Sequence, residues 1–197
     1  PVRQVTVAAF AMSETEVTRG DFAKFVKATG YLTDAELSPV GCGPKPETGP
    51  MRNWRNPGYP QTDDHPVVCV SRNDARRYAA WKSKKTGLRL RLPTEAEFEF
   101  ALRAGAQTSH PWGSDGNMGC KFGNIGDVNF GRFAPKNPNA GTCDDGFLYT
   151  APAGRFTPNK FGLKDLSGNV WEWTQDCFRD TYEGAPTDGS ANTAGNC

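Results

Sequence analysis

Apolar residues are in short supply: they make up 37% of the sequence, below the ~45–50% usual for a soluble domain. No apolar stretch nears the ~20 residues needed to cross a bilayer, so no transmembrane segment is expected. Charge of one sign is lacking too, with 23 Lys and Arg against 22 Asp and Glu. No basic run stands out, and nothing points to nucleic acid or an anionic membrane surface as partner. Only His65 and His110 could add nitrogen ligands, and no C-x-x-C pair occurs, which argues against a zinc site. No serine stands in a nucleophile-elbow pattern. A signal peptide is absent as well, and the chain opens on Pro1 rather than Met, as a processed product or a fragment would.

What is abundant is turn-forming sequence. The 22 Gly and 15 Pro predict many turns and loops around a modest core. Twelve Phe, five Trp and five Tyr compensate in part, since each buried ring removes ~150–250 Å² from water. A length of 197 residues suits one domain, and no linker or internal repeat divides it. Six cysteines, at 42, 69, 120, 143, 177 and 197, lie scattered in loop-like sequence. Disulfides, and with them an extracytoplasmic setting (periplasm, cell surface or secretory pathway), are the reading preferred over buried thiols in a cytosolic protein.

Three stretches share one helix grammar. Thr18 with Asp21, Ser71 with Asp74, and Thr94 with Glu97 each offer a capping hydroxyl and a carboxylate three residues on. Apolar stripes follow: Phe22, Phe25 and Val26; then Ala75, Tyr78 and Ala79; then Phe98, Ala101 and Leu102. Gly30, Gly87 and Gly105 are the expected stops, because glycine adopts the left-handed C′ conformation freely. Short strands are expected over Val2–Met12, Pro66–Val70 and Leu88–Leu92. From about Ser109 onward Gly, Asn, Asp, Pro and aromatic residues dominate without helical period. That many aromatics argue against disorder, so something other than regular ladders must hold this half together.

Two constellations in that half are rich in oxygen. Asn124-Ile125 and Asp144-Asp145-Gly146-Phe147 could turn carboxylate, amide and carbonyl oxygens toward a hard cation, which wants six to eight of them; equally, Asp145-Gly146 could be a turn. Asp165-Leu166-Ser167-Gly168-Asn169-Val170-Trp171-Glu172-Trp173 could form a second cage from the Asp165 and Glu172 carboxylates and the Gly168 and Val170 carbonyls. Glu172, set between two tryptophans, needs a metal or an arginine as partner if it is buried. The alternative is a surface Glu on a strand. Cys177 and Cys197 flank a turn-rich loop (182–190), where a loop-closing disulfide is favoured over a copper pair. Cys120 with Cys143 and Cys42 with Cys69 complete the assignment.

Arg91-Leu92-Pro93-Thr94-Glu95-Ala96-Glu97 and Gly168-Asn169-Val170-Trp171-Glu172-Trp173 resemble the two signature stretches of the formylglycine-generating-enzyme, or sulfatase-modifying-factor, family. Further matches run in order along the chain: Glu16-Val17-Thr18, Asn53-Trp54-Arg55-Asn56-Pro57, His65-Pro66-Val67, Pro111-Trp112-Gly113, Thr150-Ala151-Pro152 and Pro158-Asn159-Lys160-Phe161-Gly162-Leu163. The resemblance implies an α+β, C-type-lectin-like fold with few helices and short antiparallel sheets. It also implies two structural calcium ions. Asn124, Asp145 and the Ile125 and Phe147 carbonyls would hold one; Asp165, Glu172 and the Gly168 and Val170 carbonyls the other. Asp165 stands where the family pattern has Asn, which adds a charge and keeps an oxygen. The founding enzymes oxidise a protein cysteine to formylglycine with oxygen and copper(I) held by two thiolates, in a Gly-Gly-Ser segment beyond Trp-Glu-Trp. No such segment precedes Cys197, so copper enters only if a missing C-terminal segment carries the thiol pair, and no catalytic residue is assigned. The iron-ligand histidines of a sulfoxide-synthase relative are not present either. The expectation is a calcium-stabilised binding or accessory module with a protein or peptide partner, possibly within a larger assembly. The competing reading is a formylglycine-generating oxidase completed beyond Cys197.

Overall fold

The computed structural model describes residues 3–43, 49–133 and 141–195, apart from the side chains of 132 and 133. Helix α1 (Arg19–Thr29) starts where Thr18 accepts from Asp21 N and stops at Gly30, φ 66. α2 (Asp34–Leu37) is a single turn closed by a Thr33/Glu36 capping box. α3 (Arg72–Thr86) runs between the Ser71/Asp74 box and Gly87, φ 74. α4 (Glu95–Arg103) opens on the Thr94/Glu97 box. A 3-10 segment (Gly116–Lys121) and the short α5 (Val128–Phe133) complete the regular structure. The end of α4 departs from expectation by one position: Ala104 itself takes the left-handed conformation, φ 45, ahead of Gly105.

The expected sheets are not seen among the described residues. Among the described residues only three isolated bridges occur, one of them between Thr18 and Pro66. The backbone groups that would form ladders are taken by other partners. Ser83 Oγ accepts from Leu90 N, Gln175 Nε2 donates to Leu92 O, and Gln61 Nε2 donates to Pro66 O. Pro66 has no N–H to contribute. Side-chain-to-backbone bonds thus satisfy part of this strand-like sequence, while Val67 N and Thr6 N donate to Val17 O and Thr187 O in isolated backbone bonds.

The core sits between α1, α3 and the loop around Trp54. Phe22, Phe25, Val26, Trp54 and Tyr78 are its buried members. Phe22 meets both Phe25 and Trp54 edge-to-face, with ring centroids 5.3 Å apart in each case, the geometry that aromatic quadrupoles favour. Fully buried Asp74 ties this core to the neighbouring turns. It accepts from Tyr31 Oη at 2.8 Å, Asp34 N at 3.1 Å and Ser71 N at 2.8 Å.

Disulfides join Cys42 to Cys69 and Cys120 to Cys143. Cys177 is also disulfide-bonded; Cys197, its expected partner, lies outside the described residues. No helix among the described residues is long and apolar enough to cross a membrane.

Candidate metal centre

The loops at 123–125 and 167–169 lie against each other. A Cβ on Gly123 would collide with Ser167 O, and one on Gly168, at φ 88, with Asn124 O. Only glycine permits that approach at both positions. Asn169 N then donates to Asn124 O at 2.7 Å, so the two oxygen-rich stretches become neighbours.

The first stretch is clamped by Asp145. Its Oδ2 accepts from Ile125 N at 2.9 Å and its Oδ1 from Phe147 N at 2.9 Å. Asn124 Nδ2 donates to Tyr149 O and, at 3.2 Å, to Asn169 Oδ1. Asn124, Ile125, Asp145 and Phe147 are thereby brought to one place, and Gly146 makes the turn between them at φ 87. Burial pushes the Asp145 carboxyl up, and the Asp127 and Asp144 charges add to it, against the N–H groups of Phe147 and Ile125.

Asp127 belongs to the same cluster and sequence reasoning missed it. It is fully buried and accepts from Asp145 N at 3.0 Å, Asn129 N at 2.8 Å and Phe130 N at 3.0 Å. Burial acts upward on its carboxyl, but those N–H groups together hold it below the usual range. An Asp directly before a helix was the available signal, since such a residue caps orphan N–H groups. Cys120 Sγ and one oxygen each of Asp127 and Asp145 fall within 4.8 Å of one another. The sulfur is committed to Cys143, which leaves an oxygen donor set.

The second stretch is more constrained. Asp165 is 1% exposed and sits at φ 63. Its Oδ2 accepts from Gly154 N, while its Oδ1 is buried without a partner. Burial raises the Asp165 carboxyl, against Gly154 N–H and Lys164. Glu172 is an exposed residue overall, yet its carboxyl group is crowded by protein, and that burial, with the Asp165 charge, pushes it to about 7. The flanking rings do not bury it: Trp171 is 102% exposed, and Trp173 points its Nε1 at Val70 O, 2.9 Å away.

A third carboxylate that the sequence reading did not include faces this stretch. Glu16 Oε2 accepts from Asn169 Nδ2 at 2.9 Å, and Glu16 Oε1 is buried without a partner. Burial first, then the Asp165 and Glu172 charges, raise the Glu16 carboxyl to about 9, against the Asn169 bond. Glu16-Val17-Thr18 is among the family matches, but nothing local marks Glu16 as buried, because that burial depends on a loop some 150 positions away. Uncompensated carboxylates of this kind are costly to bury, and oxygen donors without thiol or imidazole suit a hard cation. The residues present therefore fit a calcium-like ion. Neither histidine joins the cluster: His65 Nδ1 bonds Thr150 Oγ1 at 2.9 Å, and His110 stacks on Trp112 with centroids 4.8 Å apart.

Residues 1–196 match the family model described as the sulfatase-modifying factor enzyme 1-like domain. The chain is 40% identical over 204 residues to the formylglycine-generating enzyme of Mus musculus, covering 89% of this chain and 51% of that protein. It is 38% identical over 204 residues to the inactive C-alpha-formylglycine-generating enzyme 2 of Bos taurus, covering 88% and 62%. The solved structure of PvdO from Pseudomonas aeruginosa superposes with a TM-score of 0.69 at 37% identity, covering 94% of this chain and 63% of the other. The chain thus spans between half and two thirds of the length of these relatives. With signature stretches, order of motifs and fold in agreement, it belongs to the sulfatase-modifying factor family.

Proposed function

We propose that this stretch of the family fold is a calcium-stabilised binding or accessory domain of an extracytoplasmic protein, recognising a protein or peptide partner without chemistry of its own. The carrying observation is the state of the cysteines. Copper(I) oxidation of a protein cysteine needs two thiolates, and among the described residues no cysteine is free. The oxygen-rich loops support the calcium part. In this reading Asn124, Asp145 and the Ile125 and Phe147 carbonyls hold one ion; Asp165, Glu172 and the Gly168 and Val170 carbonyls hold a second. The ions cross-link loops that have no ladder to hold them. Two disulfides support the oxidising setting.

A second reading has its own support. The 40% identity to a formylglycine-generating enzyme, over only half of that enzyme's length, fits an oxidase whose catalytic cysteines lie beyond Cys197. The separating experiment incubates residues 1–197 with a cysteine peptide, copper(I) and oxygen and follows aldehyde by mass spectrometry. No aldehyde is expected; turnover by this stretch alone would overturn the accessory reading.

A further inference from the structure

A groove of about 310 Å³ opens beside the C-terminal half of α1 and the turn that follows it. That volume falls within the ~300–1,000 Å³ range of small-molecule sites. Ala23, Val26 and Leu32 give the groove apolar walls, and Tyr31 also lines it. The Tyr31 hydroxyl is committed elsewhere, donating to Asp74 at 2.8 Å. The remaining polar groups, Lys27 and Arg55, are both cationic, and no acidic side chain shares the lining. Lys27 Nζ has no partner among the described residues.

Arg55 is fixed in two ways. Its Nε donates to Glu36 Oε1 at 3.2 Å, and its guanidinium lies over the Trp54 ring, 4.2 Å from the centroid. Both supports are themselves anchored. Trp54 is a core residue, and Glu36 Oε2 accepts from Thr33 N at 3.0 Å and from Trp54 Nε1 at 3.2 Å. The plane of the guanidinium is thereby set, while Nη1 and Nη2 have no partner among the described residues. An arginine held in this way offers a flat fork that matches a carboxylate, with little freedom left to lose on binding. Lys27 and Arg55 against Glu36 leave one positive charge at the groove. A single anionic group balances it, and a dianion such as phosphate exceeds it.

We propose that this groove binds a small organic acid, a carboxylate carried on a short chain or a single ring. The carboxylate pairs with the Arg55 Nη atoms and the Lys27 ammonium, and the apolar body lies along Ala23, Val26 and Leu32. No residue of the oxygen-rich loops takes part, so the site stands or falls apart from the calcium reading.

Saturation-transfer NMR on the full chain, with phenylacetate and hexanoate as probes, tests the assignment. Transfer to at least one acid is expected, and phenylacetamide should bind about tenfold more weakly than phenylacetate. Arg55→Lys, which replaces the fork with a point charge, should weaken the acid about tenfold. Lys27→Met and Leu32→Ala should each weaken it less. Lys27 and Leu32 are exposed, so these two variants should melt like wild type and carry the test if Arg55→Lys does not fold. The proposal fails if neither acid binds, if acid and amide bind alike, or if Lys27→Met and Leu32→Ala both bind like wild type. It fails also if inorganic phosphate displaces the acid at equal concentration, which would mean that the apolar walls contribute nothing. A leucine-ending peptide that binds more tightly than either acid would make the occupant a chain terminus and overturn the free-acid assignment.

Discussion

Asn169 donates its side-chain Nδ2 to Glu16 Oε2 at 2.9 Å, 153 positions away in sequence. The same side chain accepts from Ala151 N at 2.8 Å and from Asn124 Nδ2 at 3.2 Å, and donates to Ala151 O at 3.2 Å. Its backbone sits at φ 58, a conformation that Asn tolerates better than most residues. Asn169→Gly keeps that backbone and deletes only the side chain, so it isolates the value of these bonds. A loss of about 1–3 kcal/mol is expected from denaturant melts. Asn169→Ala should lose about 1 kcal/mol more, through its disfavoured φ. A glycine variant as stable as wild type would show that the network contributes nothing.

Calcium removal should lower the melting temperature. An ion that binds only the folded chain contributes about 2.7 kcal/mol at a hundredfold excess over its dissociation constant. Asp145→Ala should melt lower even in chelator, because it also strips acceptors from Ile125 N and Phe147 N. The informative quantity is the difference between melts with calcium and with chelator, which this variant should largely abolish. Asp144→Ala should leave that difference nearly intact. An Asp144 variant with the larger effect on it would reverse the ligand assignment.

Acid should unfold the protein partly through Glu97. Arg91 grips that carboxylate with two bonds of 2.7 Å. Hydrogen bonding by Arg91, the largest influence, with the Thr94 N–H holds Glu97 below its ordinary value of 4.5, against burial. A depressed folded value means stability that is complete above about pH 4.5 and drains away as pH falls through the folded value. Glu97→Gln should therefore cost stability at neutral pH and lose less on acidification than wild type does. Parallel acid limbs for the two proteins would remove Glu97 from the account.

The helices were legible because their signals are local. A hydroxyl at 18, 71 or 94, a carboxylate three residues on and an apolar stripe suffice to start a helix wherever the rest of the chain goes. Thr33 and Glu36 carry the same box, but α2 is one turn long and has no stripe to announce it. The expected strands are not confirmed among the described residues: alternation predicts one buried face, but Leu88 and Leu90 are exposed and Leu90 N goes to Ser83 Oγ. At the candidate metal centre, Asn124, Asp145, Asp165 and Glu172 are proposed through family motifs. Glu16 lies inside a family match without being singled out as a ligand, and Asp127 lies in none; what distinguishes both is a missing or completed hydrogen bond across the fold.

The two ends of the described chain also meet. Arg3 Nη1 donates to Ala185 O at 3.2 Å and to Pro186 O at 2.7 Å, and Thr6 N donates to Thr187 O at 2.8 Å. On the ribosome these partners are made far apart in time: at common elongation rates Arg3 waits roughly 10–40 s for Pro186. The segment that carries Glu16 thus emerges early and finds its loop late. Until then α1 and α3 can pack and Cys42 can reach Cys69, while the opening residues stay available to chaperones, proteases or the wrong neighbour. Late closure is what these loops accept in exchange for being held by contacts between residues 182 and 183 positions apart.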